Sequence, residues 1–149
     1  MFSTIVGGTD GSQTARRAVA VAAGLARRFD AHLHLVYGYR NPAAGPLEEG
    51  RVDDSGPVLA GPATTRWQEA SEAVLAEALA DPALEGVRTQ GHSVAGGAPE
   101  VIMAVAERTG ADLIVVGNRG MHGGRLSQDS VPEAVAHGAP CHVLIAKTT

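Results

Sequence analysis

Two runs of the chain, Thr4 to Gly8 (TIVGG) and Leu113 to Gly117 (LIVVG), have continuous apolar cores with no polar alternation. Such a strand needs cover on both faces, which is the condition of a central strand in a parallel sheet flanked by helices. Three more runs read as strands: Leu33 to Tyr39 (LHLVYGY), Val87 to Val94 (VRTQGHSV) and His142 to Lys147 (HVLIAK). VRTQGHSV alternates and belongs nearer an edge. Segments of helical spacing separate the runs, so the pattern predicts an α/β fold around a five-stranded parallel sheet.

The helical segments can be placed from their apolar spacing. Ala15, Ala18, Val19, Ala22, Ala26 and Phe29 form one stripe, with Arg16, Arg17, Arg27 and Arg28 on other faces. A second helix is predicted from Thr64 to Ala80, burying Trp67, Val74 and Leu75 or Leu79, with Glu69, Glu72 and Glu77 toward water and Pro82 and Gly86 ending it. A third starts near Pro99, buries Val101, Ile102 and Val105, and stops at Gly110. The fourth starts at Ser130, where Ser130 and Glu133 have the spacing of a capping box and Pro132 falls in the first turn. The Pro- and Gly-rich stretch from Arg40 to Pro62 reads as a mobile loop or lid that a protease should reach at Arg51.

At 149 residues the chain is the size of one domain, expected over 1–149, and can bury a core without metal or disulfides. A net charge of -4 and a pI near 5.8 offer no basic face, so nucleic acid is not an expected partner. No apolar run approaches the roughly 18 residues of a membrane span. The single cysteine, Cys141, reads as a small buried hydrophobe. With a start that lacks the features of a signal peptide, it points to a cytoplasmic protein.

In open parallel sheets ligands bind beyond the carboxyl ends of the strands, where strand order reverses. GTDGS, YGYR and GNRGMHGGR should meet there. The last opens the stretch GNRGMHGGRLSQDSVPEAV, residues 117–135, a glycine-rich turn feeding a helix start. That arrangement presents backbone N–H groups and a positive helix end to an anion, with Arg119 and Arg125 beside it. Asp10 has two readings, a helix cap answered by Gln13 or a carboxylate for ribose hydroxyls. The histidines assemble no metal-ligand spacing: His32 and His34 share a strand face and His137 and His142 flank a turn, without completing partners. Asp53 and Asp54 read as solvated loop residues, not as a paired acid and base.

The order TIVGGTDGSQTARRAV, AHLHLVYGY, ADLIVVGNRG and SVPEAVAHGAPCHVLIAK resembles the universal stress proteins over nearly the full length. The resemblance implies a three-layer open sandwich of the adenine nucleotide alpha hydrolase-like, Rossmann-like kind, with strand order 3-2-1-4-5. It implies a stress-response regulator that binds ATP or another adenine nucleotide, and a homodimer pairing its last strand antiparallel; with no assignable base or nucleophile, at most slow hydrolysis is expected. By resemblance, Gly117 and Gly120 fill the first two glycine positions of the phosphate loop. Ser130 is its final hydroxyl position, followed by Val131. Thr9 and Asp10 match residues beside base and ribose, and Gly38 a small position in the adenine wall.

The chain departs from the family pattern at Asp129, which stands where a glycine contacts phosphate, and its spacer MHGGRLSQ is one residue short. A carboxylate there acts as a built-in anion. Two unit charges about 5 Å apart at an effective dielectric near 20 repel by roughly 3 kcal/mol, an affinity loss on the order of a hundredfold. Mg2+ between them offsets that repulsion, so the expectation is weak, Mg2+-dependent ATP binding. Two other classes stand beside it. One is a nucleotide-independent dimer acting through protein contacts. The other is an adenylating enzyme, since GGTDGS is superficially similar to the SGGxDS loop of ATP pyrophosphatases but lacks its leading serine. A phosphoacceptor receiver domain ranks last, because the acidic pair after its first strand is missing.

Overall fold

The computed structural model describes residues 1–39, 60–119 and 130–149. Within them strand and helix alternate: β1 (Thr4–Gly8), α1 (Gln13–Phe29), β2 (His32–Tyr39), α2 (Ala60–Leu79), a short 3-10 turn (Pro82–Leu84), β3 (Thr89–Ala95), α3 (Ala98–Thr109), β4 (Leu113–Gly117), α4 (Val131–Gly138) and β5 (His142–Ala146). The strands form a parallel sheet in the order β3-β2-β1-β4-β5. Ile5 lies level with both Leu33 and Leu113, and Ile114 with Val143. The two strands with continuous apolar cores are interior, and the alternating β3 is an edge.

Side-chain alternation divides the core into two layers. Ile5, Leu33, Leu35, Leu113 and Val115 pack on Ala18, Val19 and Ala22 of α1 and Leu75 of α2. Val6, Val36, Ile114 and Val116 pack on Val101, Ile102 and Val105 of α3 and Val135 of α4. The small residues of α1 let it lie close to the sheet, and Ala22 and Ala23 are fully buried. At the amino ends of the strands, Asp112 fastens β4 to β1 by accepting from Ser3 N and Ser3 Oγ, each at 2.9 Å, and from Thr4 N at 3.2 Å. Burial opposes ionisation of Asp112, but these bonds outweigh it and hold its carboxyl below the ordinary aspartate value.

Several sequence expectations need correction. The second helix begins at Ala60, not Thr64, so it absorbs the end of the expected loop. Pro62 falls in the first turn, where its missing N–H leaves no bond unmade. Trp67 is 39% exposed, not buried. Leu75 and Leu79 lie over Gly91, and Ser71 bonds Ser93. Val74 is half-buried. β3 starts at Thr89, because Val87 N–H closes the preceding turn on Leu84 O at 3.0 Å. The remainder of the expected loop, including Arg51, Asp53 and Asp54, lies outside the described residues.

Candidate functional site

A cavity of about 450 Å3 opens at the carboxyl ends of the strands. The β1–α1 turn supplies Thr9, Asp10 and Ser12. Gly38 ends the β2 wall and Ala98 starts α3. Gly117 and Arg119 follow β4, Ser130 and Val131 open α4, and Thr148 comes from the segment after β5. Thus Thr9, Asp10, Gly38, Gly117, Arg119, Ser130 and Val131 all line this one cavity. Gly120, Arg125 and Asp129 lie outside the described residues.

The β1–α1 turn settles the two readings of Asp10 against the cap. Ser12 is the N-cap of α1, and its Oγ accepts from Ala15 N at 3.2 Å. Asp10 Oδ1 instead accepts Ser12 N–H at 2.9 Å, an Asx turn one step upstream of the helix. Its other oxygen, Oδ2, lies 3.7 Å from Arg119 Nη1 across the cavity mouth. Burial works against the charge on Asp10, but the Ser12 bonds and then Arg119 hold its carboxyl below the ordinary aspartate value. Asp10 therefore presents a carboxylate at neutral pH. Thr9 is buried beside it, its hydroxyl accepting Gly11 N–H at 3.2 Å and its own N–H donating to Val36 O at 2.9 Å.

The start of α4 also differs from expectation. Ser130 is the N-cap and its carbonyl accepts Ala134 N–H at 3.0 Å, but its side chain makes no capping bond. Ser130 is 5% exposed, and among the described residues its Oγ has no hydrogen-bond partner, nor has the buried Oε1 of Glu133. The expected capping box is not formed. Buried polar atoms are ordinarily bonded, so an orphaned hydroxyl that lines a cavity at a helix N-terminus is an exception.

Two glycines are small for reasons the sequence does not display. A Cβ on Gly38 would stand 2.8 Å from Gly96 O and 2.8 Å from Val101 Cγ2, so the bare wall also lets the β3–α3 turn close on β2. A Cβ on Gly117 would stand 3.2 Å from Thr148 Oγ1, so this glycine makes room for the segment after β5. Thr148 is 3% exposed and held by Asn118 and Arg17. Sequence reading missed Thr148, which lies beyond the last apolar run and belongs to no periodic pattern.

Residues 1–147 match the universal stress protein family. The chain belongs to that family. A universal stress protein of Thermus aquaticus is 37% identical over 149 residues, covering 99% of this chain and all of the relative. A universal stress protein solved in complex with cAMP superposes with a TM-score of 0.70 at 25% identity, covering 99% of this chain and 98% of that one. The universal stress protein UspA of Lactobacillus plantarum, at 19% identity and a TM-score of 0.69 over 97% of both chains, shares the fold. The fold class and strand order implied by the family resemblance are those observed.

Around this universal stress protein site, the other sequence candidates are placed as follows. Cys141 is half-buried against the α3–α4 layer, where burial, and then Asp112, push its thiol above the ordinary value. It is not poised as a nucleophile. Among the described residues, no three His, Cys, Asp or Glu side chains group so as to hold a metal ion, and no helix is long and apolar enough to cross a membrane.

Proposed function

We propose that this universal stress protein is a stress-response regulator that binds an adenine nucleotide, ATP with Mg2+, in the cavity at the strand carboxyl ends, and acts as a cytoplasmic single-domain homodimer paired through β5. The observation that carries the ligand is the buried, unpartnered Ser130 hydroxyl at the start of α4, in the same cavity as the Asp10 carboxylate. A phosphate oxygen at Ser130 would receive its O–H and the free N–H groups of the helix end, while Asp10 accepts from ribose hydroxyls. The cavity volume falls in the range of small-molecule sites, about 300–1,000 Å3. A relative of the same fold, 25% identical, was solved with cAMP, which supports the adenine class. Mg2+ would be carried on the phosphates, since the described residues group no cation ligands of their own.

Titration calorimetry with ATP, cAMP and GTP, with and without Mg2+, tests this reading. Adenine nucleotides should bind and GTP should not, Ser130→Ala should weaken ATP about tenfold, and Asp129→Gly should strengthen it and reduce its need for Mg2+. No heat from any nucleotide, with Mg2+ present, would overturn it. The second reading, a dimer that works without nucleotide, is favoured by Arg119, which already stands 3.7 Å from the carboxylate a ribose would use.

A further inference from the structure

β3 is an edge strand, bonded to the sheet on one side only. On the α3 side of the sheet, its contact with β2 includes two imidazoles. His34 Nδ1 lies 2.8 Å from His92 Nε2, so one ring donates and the other accepts. Their ring centroids are 5.0 Å apart, and the His32 ring lies against His34 at 4.2 Å. His34 is 6% exposed, which keeps water from screening a charge placed on it.

The titratable groups facing this pair come from three elements. They are His32 on β2 itself, His92 on β3, and Arg108 on α3, whose charge acts on His92. From β1, the residues level with His32 and His34 are Thr4 and Val6, which carry no charge. Every electrostatic neighbour of the two rings is thus a cation or becomes one on protonation, and no carboxylate among the described residues rewards the added proton. A pair protonated twice has no lone pair left for the bond and places two positive rings in contact.

We propose that His34 and His92 form an acid-released clasp that holds the edge strand β3 to the sheet. Burial first, and then His32 and His92, hold His34 down to about 4, and burial followed by Arg108 and His32 holds His92 below the ordinary histidine value. The clasp is therefore closed at neutral pH. Because an opened β3 takes up protons that the closed strand refuses, acidification from the ordinary histidine range toward about 4 drives opening. Beyond the pair, β3 ends at Ala95 and leads into Gly96, whose N–H donates to Tyr39 O at 2.8 Å and whose carbonyl abuts Gly38. Release thus loosens the Gly38 wall of the cavity, whatever the cavity binds.

Amide hydrogen exchange on the full chain, corrected for intrinsic rates, reads the clasp without any ligand. Between pH 7.5 and pH 5.0, protection in β3 should fall about tenfold or more, while that of β5, the opposite edge, falls less than about threefold. The double variant His34→Asn/His92→Gln keeps donor and acceptor at matching positions without a titrating ring, and should flatten the β3 response. Equal losses in β3 and β5, or a double variant that responds like the parent, would overturn the proposal. Should that variant not fold, imidazole NMR titration of the parent chain decides: both rings below the ordinary value near 6.5 support the clasp, and both at or above it sink it.

Discussion

Asn118 and Thr148 are joined by two hydrogen bonds: the Asn118 side-chain oxygen accepts the Thr148 backbone N–H at 2.8 Å and its hydroxyl at 3.1 Å. Arg17 of α1 donates to Thr148 O at 2.8 Å. The segment after β5 is thereby fixed against the residue that precedes Arg119, at the rim of the cavity. Asn118→Leu strands a buried Thr148 N–H and should cost about 2 kcal/mol in urea unfolding, against about 1 kcal/mol for Thr148→Val, which loses only the hydroxyl bond. Equal midpoints for both variants and the parent would show that the segment adds nothing to stability.

Two glycines should respond in opposite directions to the same added methyl. Gly38→Ala puts a Cβ 2.8 Å from the backbone oxygen of Gly96, which cannot swing away as a side chain can, and should lower stability by about 1–3 kcal/mol. Gly24 lies inside α1, exposed, with nothing within 4 Å of its added Cβ. Gly24→Ala should raise stability by about 0.5–1 kcal/mol through helix propensity. Thermal melts of the two variants, run side by side, check both signs.

Stability should decline with acid in two separate windows. The folded value of His34 is depressed to about 4, so its contribution is complete above 6.5 and is lost as pH falls toward 4, a change on the order of 3 kcal/mol. The folded value of Asp112 is also depressed, so its contribution is present above the ordinary aspartate value of 3.8 and is lost only below it. Urea midpoints measured across pH should show a smaller upper window in His34→Asn, where only the His92 shift remains, and a smaller lower one in Asp112→Asn. A parent protein whose midpoint is flat between pH 7 and pH 4.5 would refute the His34 assignment.

β5 is an edge strand in the described sheet, with Ile145 36% exposed and Val143 half-buried. An apolar edge of this kind is suited to pairing with a second copy. Ile145→Lys or Val143→Lys should shift the mass toward monomer in light scattering. A variant that keeps the dimer mass would put the interface on another face.

The sequence disclosed the sheet because central strands must be apolar on both faces and α1 must keep its small residues on one stripe. TIVGG, LIVVG and Ala18, Val19, Ala22 and Ala26 state those requirements locally. The lining of the cavity was legible for a related reason: the segments that end β1 and β4 carry Asp10, Gly117 and Arg119 in recognisable runs, and the topology brings such segments together. What it left undetermined were choices between partners. DGSQ offered Asp10 as a helix cap or as a free carboxylate, and the structure caps α1 with Ser12, leaving one Asp10 oxygen to face Arg119. Ser130 and Glu133 have the spacing of a box, but neither side-chain oxygen closed it. Trp67 has the spacing of the apolar stripe of α2, yet it is exposed. His34 and His92, 58 residues apart, meet only because β3 lies beside β2. Periodicity records which face a residue needs. Which distant group occupies that face depends on strand order and register, and those exist only once the whole sheet is assembled.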